Sequence, residues 1–148
     1  MVFSVFLLAG VRLPLLKNWA RPLMGPHSVL TNPREASYFL DILALNNVAS
    51  YRQAADLTAG SGCGMVGLDV GGDRAEYPFQ ALVRERNPAV RFVHTGVENR
   101  SARYEPSVPP RPCAVLCFEC ADEGRKIARY ESIGPPAVLG RFVLFLAR

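Results

Sequence analysis

The sequence predicts an α/β sandwich: a mixed, mainly parallel sheet of about five strands flanked by helices, with an antiparallel hairpin at the C-terminal end. Three observations carry that expectation. Short apolar runs suited to strands, "MVGLDV" (65–70), "VRFVHT" (90–95) and "CAVLCFE" (113–119), punctuate the second half of the chain. Between the first two lies a stretch with helical spacing, so strand, helix and strand fit within the roughly 30 residues of a βαβ unit. The tail carries "RKIARYES" and "RFVLFLAR" on either side of "IGPPAVLG", read as an antiparallel pair at the sheet edge. A length of 148 residues, of which 49% are hydrophobic, suffices for one domain with a real core.

The chain opens with "MVFSVFLLAGVRLPLL" (1–16), an apolar stretch broken by Ser4, Gly10 and Arg12. It is shorter than the roughly 20 residues of a spanning helix, and it lacks the basic start and small-residue cleavage site of a signal peptide. Three readings fit: the trailing end of a longer membrane helix, a buried first element, or an interfacial segment. The first is favoured, because Lys17, Trp19 and Arg21 supply the mix of aromatic and cation found where a helix leaves a bilayer. Residues 1–21 are therefore assigned to that apolar segment, 22–33 to a linker punctuated by Gly25, Pro26, Asn32 and Pro33, and 34–148 to a single α/β domain.

Within that domain "PREASYFLDILALNN" places Pro33 at a helix start and Tyr38, Phe39, Ile42 and Leu43 at helical spacing. A second helix follows in "NVASYRQAADLTAGSGCG", with Asn47 as N-cap, Val48, Tyr51 and Ala55 on one face, and Gly60 and Gly62 as stop signals. After the strand at 65–70, Pro78 opens a third helix whose apolar stripe is Phe79, Leu82 and Val83, ending near Asn87-Pro88. Residues 97–112 read as a long irregular connection, and the run at 113–119 as a strand buried on both faces.

Charge and cysteine usage narrow the function classes. The formal charge of +4 comes from 17 basic and 13 acidic residues scattered along the chain. A nucleic-acid partner is not expected, since binding one requires a basic stripe with interleaved aromatics. Cys117 and Cys120 form a CxxC, but Cys117 ends an apolar strand, whereas a redox pair presents its thiol at a helix N-terminus. A zinc site needs four ligands, and Cys63, Cys113, His27 and His94 offer no second tight pair. The cysteines read as small buried hydrophobes, with room for an opportunistic disulfide, and no metal or cofactor is expected.

The segment "GLDVGGDRAEYPFQALV" (67–83) is the candidate binding region, because ligands in open α/β sheets gather beyond the carboxyl ends of the strands. A dinucleotide turn needs G-x-G-x-x-G; here Gly71 and Gly72 are adjacent and the third glycine is missing. Asp73 and Glu76 stand beside the helix start, where they complement its positive end and repel phosphate. A neutral polyhydroxy ligand suits them better. The candidate contacts are Gly71, Gly72, Asp73, Glu76 and Tyr77. A rival reading takes "GLDVGG" as similar to the first motif of S-adenosylmethionine-dependent methyltransferases, with the cofactor at Asp69, Gly71 and Glu98. Asp73 and Ala75 stand where that motif wants further glycines. A third reading is a tight turn whose glycines simply permit positive φ.

Taken in order, "LPLLKNWARPLMG", "SVLTNPREASYF", "CGMVGLDVGGDRAEYPFQALV", "VRFVHTGVENRSARY" and "PPRPCAVLC" resemble the C-terminal region of bacterial family 39-like membrane glycosyltransferases of the GT-C class. The similarity runs from about Leu13 to Cys117, and its most specific block is "VGL…GGD…EYP". The Trp usual before the Glu is Ala75 here. The resemblance implies a non-catalytic extracytoplasmic domain, on the periplasmic side of the bacterial inner membrane, belonging to an enzyme that transfers a sugar from a polyprenyl-phosphate carrier. Catalysis would reside in the transmembrane portion, which would be the domain's partner together with a glycan or lipid-linked acceptor. Arg12, Lys17 and Arg21 run against that orientation by the positive-inside tendency.

Overall fold

The computed structural model describes residues 10, 16, 23–25, 28, 30–33, 38, 39, 47–71, 75–104, 110–121 and 124–147. The chain divides into two compact units, Met1–Leu45 and Asn46–Arg148. In the first unit Tyr38 and Phe39 are buried, and the Ser28 hydroxyl donates to the Leu23 carbonyl at 2.7 Å. The apolar N-terminal segment and the helix expected from Pro33 lie largely outside the described residues, as do positions 22, 26, 27 and 29 of the linker. Among the described residues no helix is long and apolar enough to cross a membrane.

The second unit is an α/β layer structure. Its elements run α1 (Val48–Gly60), β1 (Met65–Asp69), α2 (Tyr77–Arg86), β2 (Arg91–His94), a 3-10 turn (Arg100–Tyr104), β3 (Ala114–Cys117), α3 (Gly124–Tyr130), β4 (Pro136–Leu139) and β5 (Phe142–Leu146). The five strands form one sheet in the order β2-β1-β3-β5-β4. β1 pairs in parallel with β2 and β3, whereas β5 pairs antiparallel with β3 and β4. This is the mixed five-stranded α/β sheet with a C-terminal antiparallel hairpin that the sequence predicts.

Local chemistry explains the element boundaries. α1 starts after Asn47, although that side chain makes no capping bond, and it buries Tyr51, Ala54, Ala55 and Thr58. It stops where the Ser61 amide donates back to Leu57 and Thr58 and Gly62 turns out at φ +71°. α2 carries Pro78 in its first turn, where a missing amide costs nothing, and buries Phe79, Ala81, Leu82 and Val83.

Alternation along the strands sorts the core into two faces. Leu116 and Phe118 of the β3 run and Phe142 of β5 face α1, where the Tyr51 ring meets Phe142 at 4.8 Å and Phe142 meets Phe118 at 5.1 Å. The opposite face gathers Val115, Cys117, Val143 and Phe145 with Cys120 and Tyr130, flanked by Ile127 and Ile133. Both faces of β3 are covered, which is why its run reads as unbroken apolar sequence.

One detail of the tail differs from expectation. "RKIARY" is not a strand; it forms α3, and the partner of "FVLFL" is "PAVL" from the intervening segment. The hairpin turns at Gly140, whose φ is +65°. β5 is consequently interior, and β4 is the edge. The reason lies in periodicity: Ile127 and Tyr130 are three residues apart and meet the same face of the sheet, a helical repeat that a strand cannot present.

Candidate functional site

Chain direction locates the site. From β1 the chain passes through α2 to β2 on one side, then returns across β1 to β3 on the other, so the carboxyl ends of β1 and β3 flank a topological switch point. A cleft of about 340 Å³ opens there, lined by Asp69, Val70, Gly71, Gly96, Glu98, Asn99, Glu119 and Lys126. That volume falls at the small end of ligand pockets.

Asp69 closes its floor. It ends β1 in register with Cys117, so both side chains point to the α3 face, and Asp69 is only 3% exposed. The Tyr130 hydroxyl donates to its Oδ2 at 2.7 Å, and Arg129 Nη1 stands 3.9 Å from the same oxygen. Burial raises the Asp69 pKa above the ordinary carboxylate value, opposed by the Tyr130 hydrogen bond and the charges of Lys126 and Arg129. Burial also pushes the Tyr130 phenol up to about 12. The phenol therefore stays a donor throughout the physiological range.

Two glycines make room for this network. Gly96 has φ +66°, and a Cβ there would run into the Tyr130 hydroxyl, Asp69 Oδ2 and Arg129 Nη1. Gly71 admits the neighbouring carboxylate: its missing Cβ would lie 2.8 Å from Glu119 Oε2. Across the cleft, Arg129 Nη2 donates to Glu98 Oε1 at 3.0 Å, tying the loop after β2 to α3.

The lining thus holds three carboxylates, Asp69, Glu98 and Glu119, and one ammonium, Lys126, with the Arg129 guanidinium bound to Glu98 and close to Asp69. Such a lip accepts hydrogen bonds from hydroxyls and disfavours phosphate. Of the residues singled out in the sequence, Gly71 lines the cleft. Glu76 instead meets His94 Nε2 at 2.8 Å, and Tyr77 lies 56% exposed at the start of α2. Gly72 and Asp73 fall outside the described residues. The set of the rival reading, Asp69, Gly71 and Glu98, does converge on the cleft.

Glu119, Lys126, Arg129 and Tyr130 were not anticipated. Glu119 has a readable signal, as an acidic residue at the carboxyl end of an apolar run; Lys126, Arg129 and Tyr130 lie on a helix where the sequence predicts a strand.

All four cysteines are paired. Cys63–Cys113 joins the segments entering β1 and β3, with Cα atoms 5.7 Å apart, and Cys117–Cys120 closes the turn leaving β3. The donor atoms of Asp69, Cys117 and Cys120 lie within 4.8 Å of one another, and all three residues are buried.

No protein-family model, curated protein or solved structure matches the chain.

Proposed function

We propose that this chain contains a non-catalytic, extracytoplasmic accessory domain of a polyprenyl-phosphate-sugar-dependent membrane glycosyltransferase, and that its switch-point cleft holds the hydroxyl groups of a glycan or lipid-linked acceptor. The observation that carries the reading is the cleft's surplus of acceptors: the carboxylates of Asp69, Glu98 and Glu119 outnumber the cations Lys126 and Arg129, which suits a polyol better than a diphosphate. Two further features support it. The sequence resembles the C-terminal region of family 39-like enzymes, and two disulfides fit the oxidising environment outside the cytoplasm. The domain's task is then to position an acceptor or brace the membrane part, while chemistry is performed by the transmembrane portion.

A second reading, a small methyltransferase-like enzyme, is favoured by one observation: Asp69, Gly71 and Glu98 line the same cleft, with Glu98 in the loop after β2 where a ribose would be held. Calorimetric titration of the whole chain separates the two. Millimolar binding of neutral saccharides that weakens about tenfold in Glu119→Gln, with no response to S-adenosylmethionine, is the expected outcome; each lost charge-assisted hydrogen bond corresponds to roughly that factor. Micromolar binding of S-adenosylmethionine would replace the first reading by the second.

A further inference from the structure

The CxxC at the end of β3 lacked, in sequence, the further ligands of a metal site; the fold supplies a third. Asp69 is the register partner of Cys117 on the adjacent parallel strand, and the Phe118 amide donates to the Asp69 carbonyl at 3.0 Å, so the turn Cys117-Phe118-Glu119-Cys120 is fixed against the end of β1. The geometry points to a redox-gated site for a thiophilic divalent cation, zinc in the first instance, formed by Cys117, Cys120 and Asp69 once their disulfide is reduced. This inference is independent of the accessory role proposed above.

Three features of the site carry it. Two thiolates separated by two residues are the usual half of a tetrahedral zinc site, and a carboxylate is an accepted third ligand. The three donor atoms already lie within 4.8 Å of one another, so small side-chain rotations bring them around one ion. Tyr130 donates to Asp69 Oδ2, the outer hydrogen bond that orients a ligating carboxylate.

The chemistry balances. A dithiol reductant gives two electrons and two protons to the Cys117–Cys120 bond, leaving two thiols and its own cyclic disulfide. The divalent ion then displaces two protons from those thiols and joins the Asp69 carboxylate. A small-molecule disulfide reverses the sequence by thiol–disulfide exchange: it accepts the two electrons and leaves as two thiols, the Cys117–Cys120 bond re-forms, and the ion is expelled because a disulfide sulfur is no thiolate ligand.

The test uses the whole chain, reduced by a phosphine under anaerobic conditions, which oxidises the phosphine to its oxide and leaves all four cysteines as thiols. N-ethylmaleimide labelling is mapped by mass spectrometry with and without zinc. Zinc is expected to protect Cys117 and Cys120 and to leave Cys63 and Cys113 labelled. Cobalt added in place of zinc is expected to give the visible bands of a tetrahedral ion with two thiolates, weakened about tenfold or more in Tyr130→Phe through the lost orienting bond. Failure of zinc to protect, or equal protection of all four thiols, would overturn the site. Cobalt affinity unchanged in Asp69→Asn would remove Asp69 from it. Should that variant not fold, the cobalt spectrum of the wild-type chain decides: four sulfur ligands rather than two also overturns the assignment.

Discussion

The three parallel strands have two ends, and the chain treats them differently although each end carries a disulfide. At the amino end Cys63–Cys113 bridges segments 50 residues apart, among backbone bonds such as Cys113 N–H to the Met65 carbonyl at 3.1 Å. At the carboxyl end Cys117–Cys120 spans a separation of 3 and sits against a buried carboxylate, a phenol and a guanidinium. The first bond restrains the unfolded chain over a long loop. The second shapes one turn of a cleft. The long-range crosslink stands at one end, and the cleft with its ionisable groups at the other, where a strand's last residue can be aimed without disturbing the sheet.

The largest expected effect tests that division directly. In the chain-entropy description a 50-residue loop contributes about 4 kcal/mol and a three-residue loop about 1.6 kcal/mol. Cys63→Ala/Cys113→Ala should therefore lower the urea midpoint much more than Cys117→Ala/Cys120→Ala. Equal losses would break the comparison.

Glycines sharpen it next. Gly96→Ala, at the carboxyl end, combines a left-handed backbone with collisions against Tyr130, Asp69 and Arg129 and should cost about 3 kcal/mol. Gly64→Ala, at the amino end, meets nothing within 4 Å and should stay within about 0.5 kcal/mol of wild type.

Titration gives the third test. Tyr130 has its pKa raised from 10.0 to about 12, so between those values the folded state retains a proton that the unfolded state releases. Its contribution is complete below pH 10 and is lost as pH rises toward 12, about 2–3 kcal/mol in all. Wild type should lose that much more than Tyr130→Phe when denaturation is compared at the two pH values. Asp69 has the same sign at acid pH: its raised pKa contributes stability below the unfolded value of 3.8, lost as pH climbs through the folded one.

The smallest effect belongs to the ion pair over the cleft. Arg129 and Glu98 side chains are 43% and 60% exposed, and solvent screens them. Glu98→Gln should change stability by less than about 1 kcal/mol in chemical denaturation while altering what the cleft binds.

Much of the fold was legible because its signals are local. The unbroken apolar run 113–119 announced a doubly covered strand, and Gly62 and Pro78 marked a helix end and a helix start where backbone geometry demands them. The tail was less legible because Ile127 and Tyr130 form too short a stripe to separate helix from strand without knowing which face lies beneath them. The site was half legible. Of the favoured contacts Gly71 lines the cleft, and Asp69 and Glu98 enter it from the rival methyltransferase-like reading, but Glu76, an equally good candidate by position, is turned to His94.

The sequence by itself determined the α/β class and the strand–helix–strand core, since these follow from periodicity and turn residues along neighbouring positions. Only the tertiary structure decided which carboxylates meet, that Tyr130 serves Asp69 across 61 residues of chain, and that Cys117 and Cys120 lie beside that same carboxylate. Such contacts depend on parallel register and on the return of α3 over the sheet, and no local pattern of residues encodes either.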